Sequence, residues 1–162
     1  MKKVFSLCLI CLLAVSSIAQ SDYVDLGLPS GTLWKDSNEA GYYAYDEAVQ
    51  KFGSRLPTKA QLEELKDKCT WTWTGNSYKV TGPSGNSIFL PTVGFLDCGD
   101  NEICVGTVGT YWSSTPSDSV YAPSDSVYAW YLYFDFYFDL SEFKMCDYYR
   151  CCRRSVRLVQ NL

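Results

Sequence analysis

The chain has no histidine among its 162 residues. That removes the commonest general base, the side chain that titrates near neutral pH, and the commonest metal ligand. No catalytic constellation and no cofactor motif is expected. Positive charge is scarce as well, with 14 basic residues against 18 acidic ones and a net charge of −4. A nucleic-acid partner asks for a basic face, and a membrane surface asks for a basic amphipathic helix. The sequence has neither. It also lacks an apolar run long enough for a membrane span. The longest, Val4 to Val15, follows Lys2 and Lys3 and precedes Ser17-Ile18-Ala19. Small residues at the two positions that signal peptidase reads predict a signal peptide over 1–19, and one mature domain over 20–162. Cys8 and Cys11 follow the large residues Leu7 and Ile10, which sets a lipoprotein signal aside. The destination is then the periplasm, the cell surface or the medium.

Cysteine is not lacking. Cys69, Cys98, Cys104, Cys146, Cys151 and Cys152 remain in the mature segment. In an exported domain an even count reads first as disulfides. Cys98 with Cys104, and Cys146 with Cys151, are near enough in sequence to close short loops, but spacing does not fix connectivity. A zinc site fits poorly, because no Cys-x-x-Cys pair and no histidine is present. Asp97, Asp100, Asn101 and Glu102 do not match a calcium loop and read as solvated. No metal site is expected.

The most informative segment runs from Trp130 to Leu140. Trp130, Leu132, Phe134, Phe136, Phe138 and Leu140 alternate with Tyr131, Tyr133, Asp135, Tyr137 and Asp139. Period-two alternation predicts a strand with one buried and one presented face. The presented set is Tyr and Asp rather than Lys, Glu and Thr. Rigid aromatic rings beside charged groups are the chemistry of recognition surfaces. An ordinary strand exterior is the plainer alternative.

Around it, Tyr23–Gly27 and Thr32–Trp34 read as strands. Tyr45, Ala48, Val49 and Phe52 form one face of a short helix, with Gly53 as its cap. Thr58 and Gln61 make a capping box for a second helix carrying Leu62 and Leu65. Trp71–Thr74 and Tyr78–Val80 flank Gly75-Asn76 as a hairpin, and both tryptophans read as sheet packing. Ser87–Leu90 and Tyr111–Ser114 are strands, with Thr92–Gly109 loop-rich between them. The heptad Pro116–Ala122 recurs unchanged as Pro123–Ala129, an insertion that a surface loop accommodates at little cost. The piece from Ser141 to Arg154 is less regular, and Ser155–Val159 ties the C-terminal segment into the sheet. Arg150, Arg153, Arg154 and Arg157 cluster there. They can grip a carboxylate or phosphate, or simply pair with the many aspartates.

Taken in order, Tyr23–Trp34, Arg55–Thr58, Cys69–Trp73, Val80–Pro83, Gly85–Pro91, Tyr111–Thr115 and Ser155–Val159 resemble the major paralogous domain first named in Fibrobacter and abundant in Bacteroides-type gut bacteria. The resemblance implies an α+β, C-type-lectin-like fold related to that of formylglycine-generating enzymes, with two short helices and a mostly antiparallel twisted sheet. Some members of this fold are variable proteins of diversity-generating retroelements. In those systems error-prone copying at adenines rewrites the 3′ end of the gene. Asn-type codons then scatter over a set that includes Tyr, Asp, Ser, Cys, Phe, Leu and Arg.

The segment 131–154 contains no Asn and is crowded with Tyr, Asp, Phe, Cys and Arg. On this resemblance it is the candidate variable region. Trp130, Glu142, Lys144 and Met145 are then fixed by the template, and Cys146, Cys151 and Cys152 are among the variable positions. The implied ligand-binding residues are Tyr131, Tyr133, Asp135, Tyr137, Asp139, Asp147, Tyr148, Tyr149 and Arg153. The implied partner is a protein or glycan on another cell, a phage or a host. The calcium tripeptides of true C-type lectins, Glu-Pro-Asn and Trp-Asn-Asp, are absent, so calcium-dependent sugar binding is not carried over. Two alternatives stand beside this reading: an invariant structural or adhesive envelope module of the same fold, and an enzyme related to the formylglycine-generating type that uses reactive thiols. The sequence sets no oligomeric state.

Overall fold

The computed structural model describes residues 22–118, 127–136 and 143–161. The expected signal peptide, Tyr137 and Asp139, and the apolar positions Phe138 and Leu140 lie outside the described residues. Among the described residues no helix is long and apolar enough to cross a membrane.

Among the described residues the architecture is α+β, with two short α-helices and mostly antiparallel sheets. Strand β1 (Tyr23–Asp25) pairs with β2 (Leu33–Lys35), with Val24 opposite Trp34. Helix α1 (Tyr45–Phe52) buries Tyr45, Ala48 and Phe52, while Val49 stays exposed at the edge of the expected face. Helix α2 (Lys59–Lys68) opens on the expected capping box. Thr58 Oγ1 accepts from the Gln61 N–H at 3.2 Å, and Gln61 Oε1 accepts from the Thr58 N–H at 2.9 Å. Two donors that the helix would otherwise leave unpaired are thereby satisfied.

Next come β3 (Thr70–Trp73), β4 (Ser77–Thr81) and β5 (Ser87–Pro91), a three-stranded antiparallel sheet. The loop-rich stretch after it holds a small hairpin, β6 (Phe95–Leu96) with β7 (Glu102–Ile103). The central sheet is β8 (Val108–Pro116), β9 (Tyr128–Asp135) and β10 (Lys144–Tyr149), with β9 in the middle. β10 corrects the expectation of irregular chain from Ser141 to Arg154. Finally β11 (Val159–Gln160) pairs with β2, setting Val159 opposite Trp34. It is shorter than the strand expected from Ser155. The residues before it form single bridges instead, Tyr43 with Arg154 and Tyr111 with Ser155.

The pleat assigns the two faces of the central sheet, because directly paired residues share a face. On one face lie Leu132 and Phe134 with Tyr111, against Leu62 and Leu65 of α2 and Tyr78, Val80, Ile88 and Leu90 of the β3–β4–β5 sheet. Phe134 lies over Gly109, its partner on β8, so closely that a Cβ there would stand 2.1 Å from the ring. Each fully buried side chain of this kind contributes roughly 2–3 kcal/mol. Trp71 joins this core through Phe134 and Phe143, at ring separations of 5.6 and 4.6 Å. The expected apolar set loses one member, however. Phe136 is 47% exposed and stacks on Trp73, with centroids 4.4 Å apart.

The second face is not open along its length. At the Ala129 end, Trp112 and Ala129 pack with Tyr45, Ala48 and Phe52 of α1, and Tyr131 lies against them. At the other end the β6–β7 hairpin approaches. Gly94 bridges to Gly109, and Leu96 bridges to Arg153. Gly94 has φ +73°, and a Cβ there would fall 2.3 Å from the Ile103 carbonyl oxygen, so the hairpin root closes only around glycine. The expectation of one buried and one presented face is thus corrected. Alternation of apolar and polar residues reports polarity, and tyrosine satisfies it whether a neighbour covers the ring or not.

Candidate ligand-binding site

Between the second face of the sheet and the hairpin lies a cavity of about 330 Å³. Tyr131 and Tyr133 of β9, Tyr148 of β10, Phe95 and Ile103 of the hairpin, and Arg154 form most of its wall. The register explains why these tyrosines meet. Tyr131 faces Cys146 across the β9–β10 ladder, and Tyr148 faces Ala129, so Tyr131, Tyr133 and Tyr148 project to the same side.

Other expected site residues fall elsewhere. Asp147 pairs with Trp130, and Tyr149 pairs with Tyr128. Both therefore project to the opposite side of the sheet from Tyr131. Asp147 Oδ2 accepts from the Ser117 hydroxyl at 2.5 Å, across the end of the sheet. Tyr149 instead joins Tyr128 and Tyr148 in an aromatic cluster at the strand end, with rings 4.8 and 5.0 Å away. Asp135 belongs to the cavity side of β9 but is covered, at 6% exposure. Its Oδ2 accepts from the Tyr133 hydroxyl at 2.9 Å. Arg153 is half-buried and doubly paired, to Glu47 of α1 and to Asp100 of the hairpin loop, each at 2.9 Å. Tyr148 is the outermost of the set, 45% exposed.

Protonation follows burial. The Tyr131 phenol is pushed up to about 12, first by desolvation, with Arg154 pulling the other way. Desolvation also raises Tyr133, and its bond to Asp135 adds to that. Both rings are neutral donors at physiological pH. Asp97 at the cavity rim accepts from the backbone N–H groups of Asn101 and Gly99 and from Asn101 Nδ2. The two Asn101 contacts and the Gly99 bond hold its carboxyl below the usual range. Its charge is thus turned into its own loop.

The cysteines correct the short-loop pairings. Cys98 bonds to Cys151 across 53 residues of sequence and ties the hairpin loop to the end of β10, while Cys69, Cys104, Cys146 and Cys152 are free thiols. The Cys152 sulfur lies 3.6 Å from that of Cys98. The three sulfurs Cys98, Cys151 and Cys152 gather within 4.8 Å, but two are spent in the disulfide. A single thiol remains there, too few for a metal centre. Burial raises Cys69 to about 11 and pushes Cys146 and Cys152 up as well.

The sequence did not single out Phe95, Ile103 and Tyr128. The first two sit in a loop-rich stretch without periodicity, and Tyr128 lies within the duplicated heptad. Only the β6–β7 pairing and the β9–β10 register bring them to the tyrosines. Compared with family models, curated proteins and solved structures, the chain matches none.

Proposed function

We propose that this is an exported ligand-binding protein of C-type-lectin-like fold, whose segment 131–154 displays a recognition surface diversified by a retroelement. The observation that carries the reading is the shared side of Tyr131, Tyr133 and Tyr148 around one cavity. Partly covered phenols supply contact area at low entropic cost, and charged neighbours give orientation. The partner is a protein or glycan borne by another cell, a phage or a host. Export over 1–19 is supported by the Cys98–Cys151 disulfide, a bond that persists in oxidising compartments. The apolar residues Leu132 and Phe134 are the fixed part, because any smaller side chain there opens the core.

The test is in DNA. The flanking sequence is expected to hold a reverse-transcriptase gene and a near-copy of codons 131–154 with adenines at the tyrosine and aspartate positions. Clones are expected to differ at Tyr131, Tyr133, Tyr137, Tyr148 and Arg153 and to agree at Trp130 and Met145. A locus without template or transcriptase removes the diversification.

One observation favours the second reading, an invariant adhesive or structural module. Tyr131 under Arg154, and Tyr133 bonded to Asp135, are interlocked contacts that random replacement would break. Identical codons across clones would select it. A thiol enzyme is less well supported, since burial raises three of the four free thiols among the described residues and raised thiols are poor nucleophiles.

A further inference from the structure

The arginine cluster divides on inspection of partners. Arg150 lies over the Tyr45 ring at 4.7 Å, donates to the Tyr128 carbonyl and approaches Asp46 at 3.8 Å. Arg153 has two carboxylates. Arg157 donates to Asn38 Oδ1 and to the carbonyls of Lys35 and Phe89. Arg154 shares the ring contacts but not the acceptors. It is 1% exposed, and its Nε and Nη1 are buried without a hydrogen-bond acceptor among the described residues. Its guanidinium lies between rings, 3.5 Å from Tyr131 and 4.9 Å from both Trp112 and Phe95. Its nearest titratable neighbours include the Tyr131 phenol and the Cys152 and Cys146 thiols, and burial raises all three. A cation buried among π faces, with no carboxylate at ion-pair distance among the described residues, lacks the close anion that would normally offset its desolvation.

We propose that the cavity walled by Tyr131, Tyr133, Tyr148, Phe95 and Ile103 is an anion site, in which Arg154 receives a single carboxylate carried on a ring. The inference rests on the reading of this side of the sheet as a binding surface. The cavity, about 330 Å³, is at the lower end of the range for small-molecule sites. Its walls are aromatic and aliphatic, which suits the body of a flat or cyclic ligand. Guanidinium donors arranged as a fork match a carboxylate's two oxygens. The rim adds a selection. Asp97 also lines the cavity and is held ionised by its own loop, so a second negative charge on the ligand meets repulsion. One acid group is preferred over two.

A ring carboxylate comes from two sources, aromatic acids and sugar acids, and titration separates them. Phenylacetate and glucuronate are titrated into the disulfide-intact mature protein, beside phenylacetamide, glucose and inorganic phosphate. Saturable binding of at least one acid below about 10 mM is expected, at least about tenfold tighter than its neutral counterpart or phosphate. The acid that saturates names the source. Arg154→Met is expected to weaken it at least about tenfold, while Arg55→Met, a change to an exposed arginine on the turn after α1, leaves it unchanged. A readout in unmodified protein guards against misfolding of the variant: one arginine Nε–H resonance shifts with the acid and not with the amide. Absence of saturation by either acid overturns the proposal. So does equal binding of the neutral molecules or phosphate, or full binding by Arg154→Met. Any of those results leaves the diversified surface standing on its own test in DNA.

Discussion

On one face of the β8–β9–β10 sheet, Leu132 and Phe134 are fully covered by α2 and by the β3–β4–β5 sheet. On the other, Tyr131, Tyr133 and Tyr148 share their space with a cavity and an arginine. The same strands build both. The difference lies in how their polar groups are answered. Tyr111, on the packed face, donates to the Pro91 carbonyl at 2.9 Å and accepts from Asn38 Nδ2 at 3.1 Å, and Asn38 in turn holds Arg157. The phenol and the guanidinium there both have acceptors, although the buried indole N–H groups of Trp34 and Trp71 have none among the described residues. On the cavity face Arg154 is as buried as Arg157, yet two of its nitrogens have no acceptor among the described residues. Beside the packed face the buried guanidinium is answered internally. A face that keeps a charged donor unclaimed has traded stability for something else, and recognition is the use we assign to it.

The largest expected effect lies on the packed face. Phe134→Ala removes the ring that lies over Gly109 and touches Trp71, Tyr78 and Tyr111. Denaturant unfolding should show a loss of about 3–5 kcal/mol. A loss under about 1 kcal/mol would mean that this face is as loosely filled as the other, and the contrast would break.

The two arginines give the sharpest version of the contrast. Arg157→Met leaves Asn38 Oδ1 and the carbonyls of Lys35 and Phe89 without their donor. A cost of about 3 kcal/mol is expected, since part-buried acceptors lose a charged donor while a volume similar to the stem is retained. Arg154→Met breaks no hydrogen bond to the described residues and removes an uncompensated charge. Its stability is expected within about 1 kcal/mol of the parent, or above it, because a buried charge without an anion gains little from its site beyond ring contacts. Equal losses for both substitutions, read from thermal and denaturant midpoints, would erase the distinction between a structural and an unclaimed arginine.

Much of the fold is legible in the sequence, and the reasons are local. The Thr58 and Gln61 caps, the α1 periodicity and the β3–β4 hairpin depend on near neighbours. The mature core positions Leu132 and Phe134 follow from alternation. What is not legible depends on distant chain. Asp135 is covered although alternation gives it to the polar face, and Phe136, just past the end of β9, is exposed and stacks on Trp73 from β3. Asp147 and Tyr149 share a segment with Tyr148 but not its face, and only the register with β9 separates them. The Cys98–Cys151 bond joins residues that no spacing argument connects. Arg154 is one of four similar arginines until its partners are counted.

Alkaline titration probes both faces at once. The phenols of Tyr111 and Tyr131 are each raised to about 12, in both cases chiefly by burial. Above the unfolded value of about 10 the unfolded chain loses these protons while the folded chain keeps them. Stability is therefore whole below about pH 10 and is lost as the pH climbs toward about 12, by roughly 2 kcal/mol for each phenol. Tyr131→Phe should flatten its share of that fall without a matching loss at neutral pH. A fall unchanged by Tyr131→Phe would show that the ring is open to water and that the cavity face is less enclosed than Tyr111's.

The smallest expected effect is at Tyr148, and it separates packing from display. Its ring is 45% exposed, stacks on Tyr128 at 6.1 Å and meets Tyr149 edge-on at 5.0 Å, but enters neither core cluster. Tyr148→Ala should shift stability by no more than about 1 kcal/mol, since only partly buried aromatic contacts are lost. Comparison with Phe134→Ala in the same denaturant series removes systematic error, because both residues are aromatic and lie on neighbouring strands. A loss at Tyr148 approaching that at Phe134 would make the outer tyrosines part of the scaffold. A position with that cost cannot be replaced freely from clone to clone, so the result would favour the invariant module over the diversified surface.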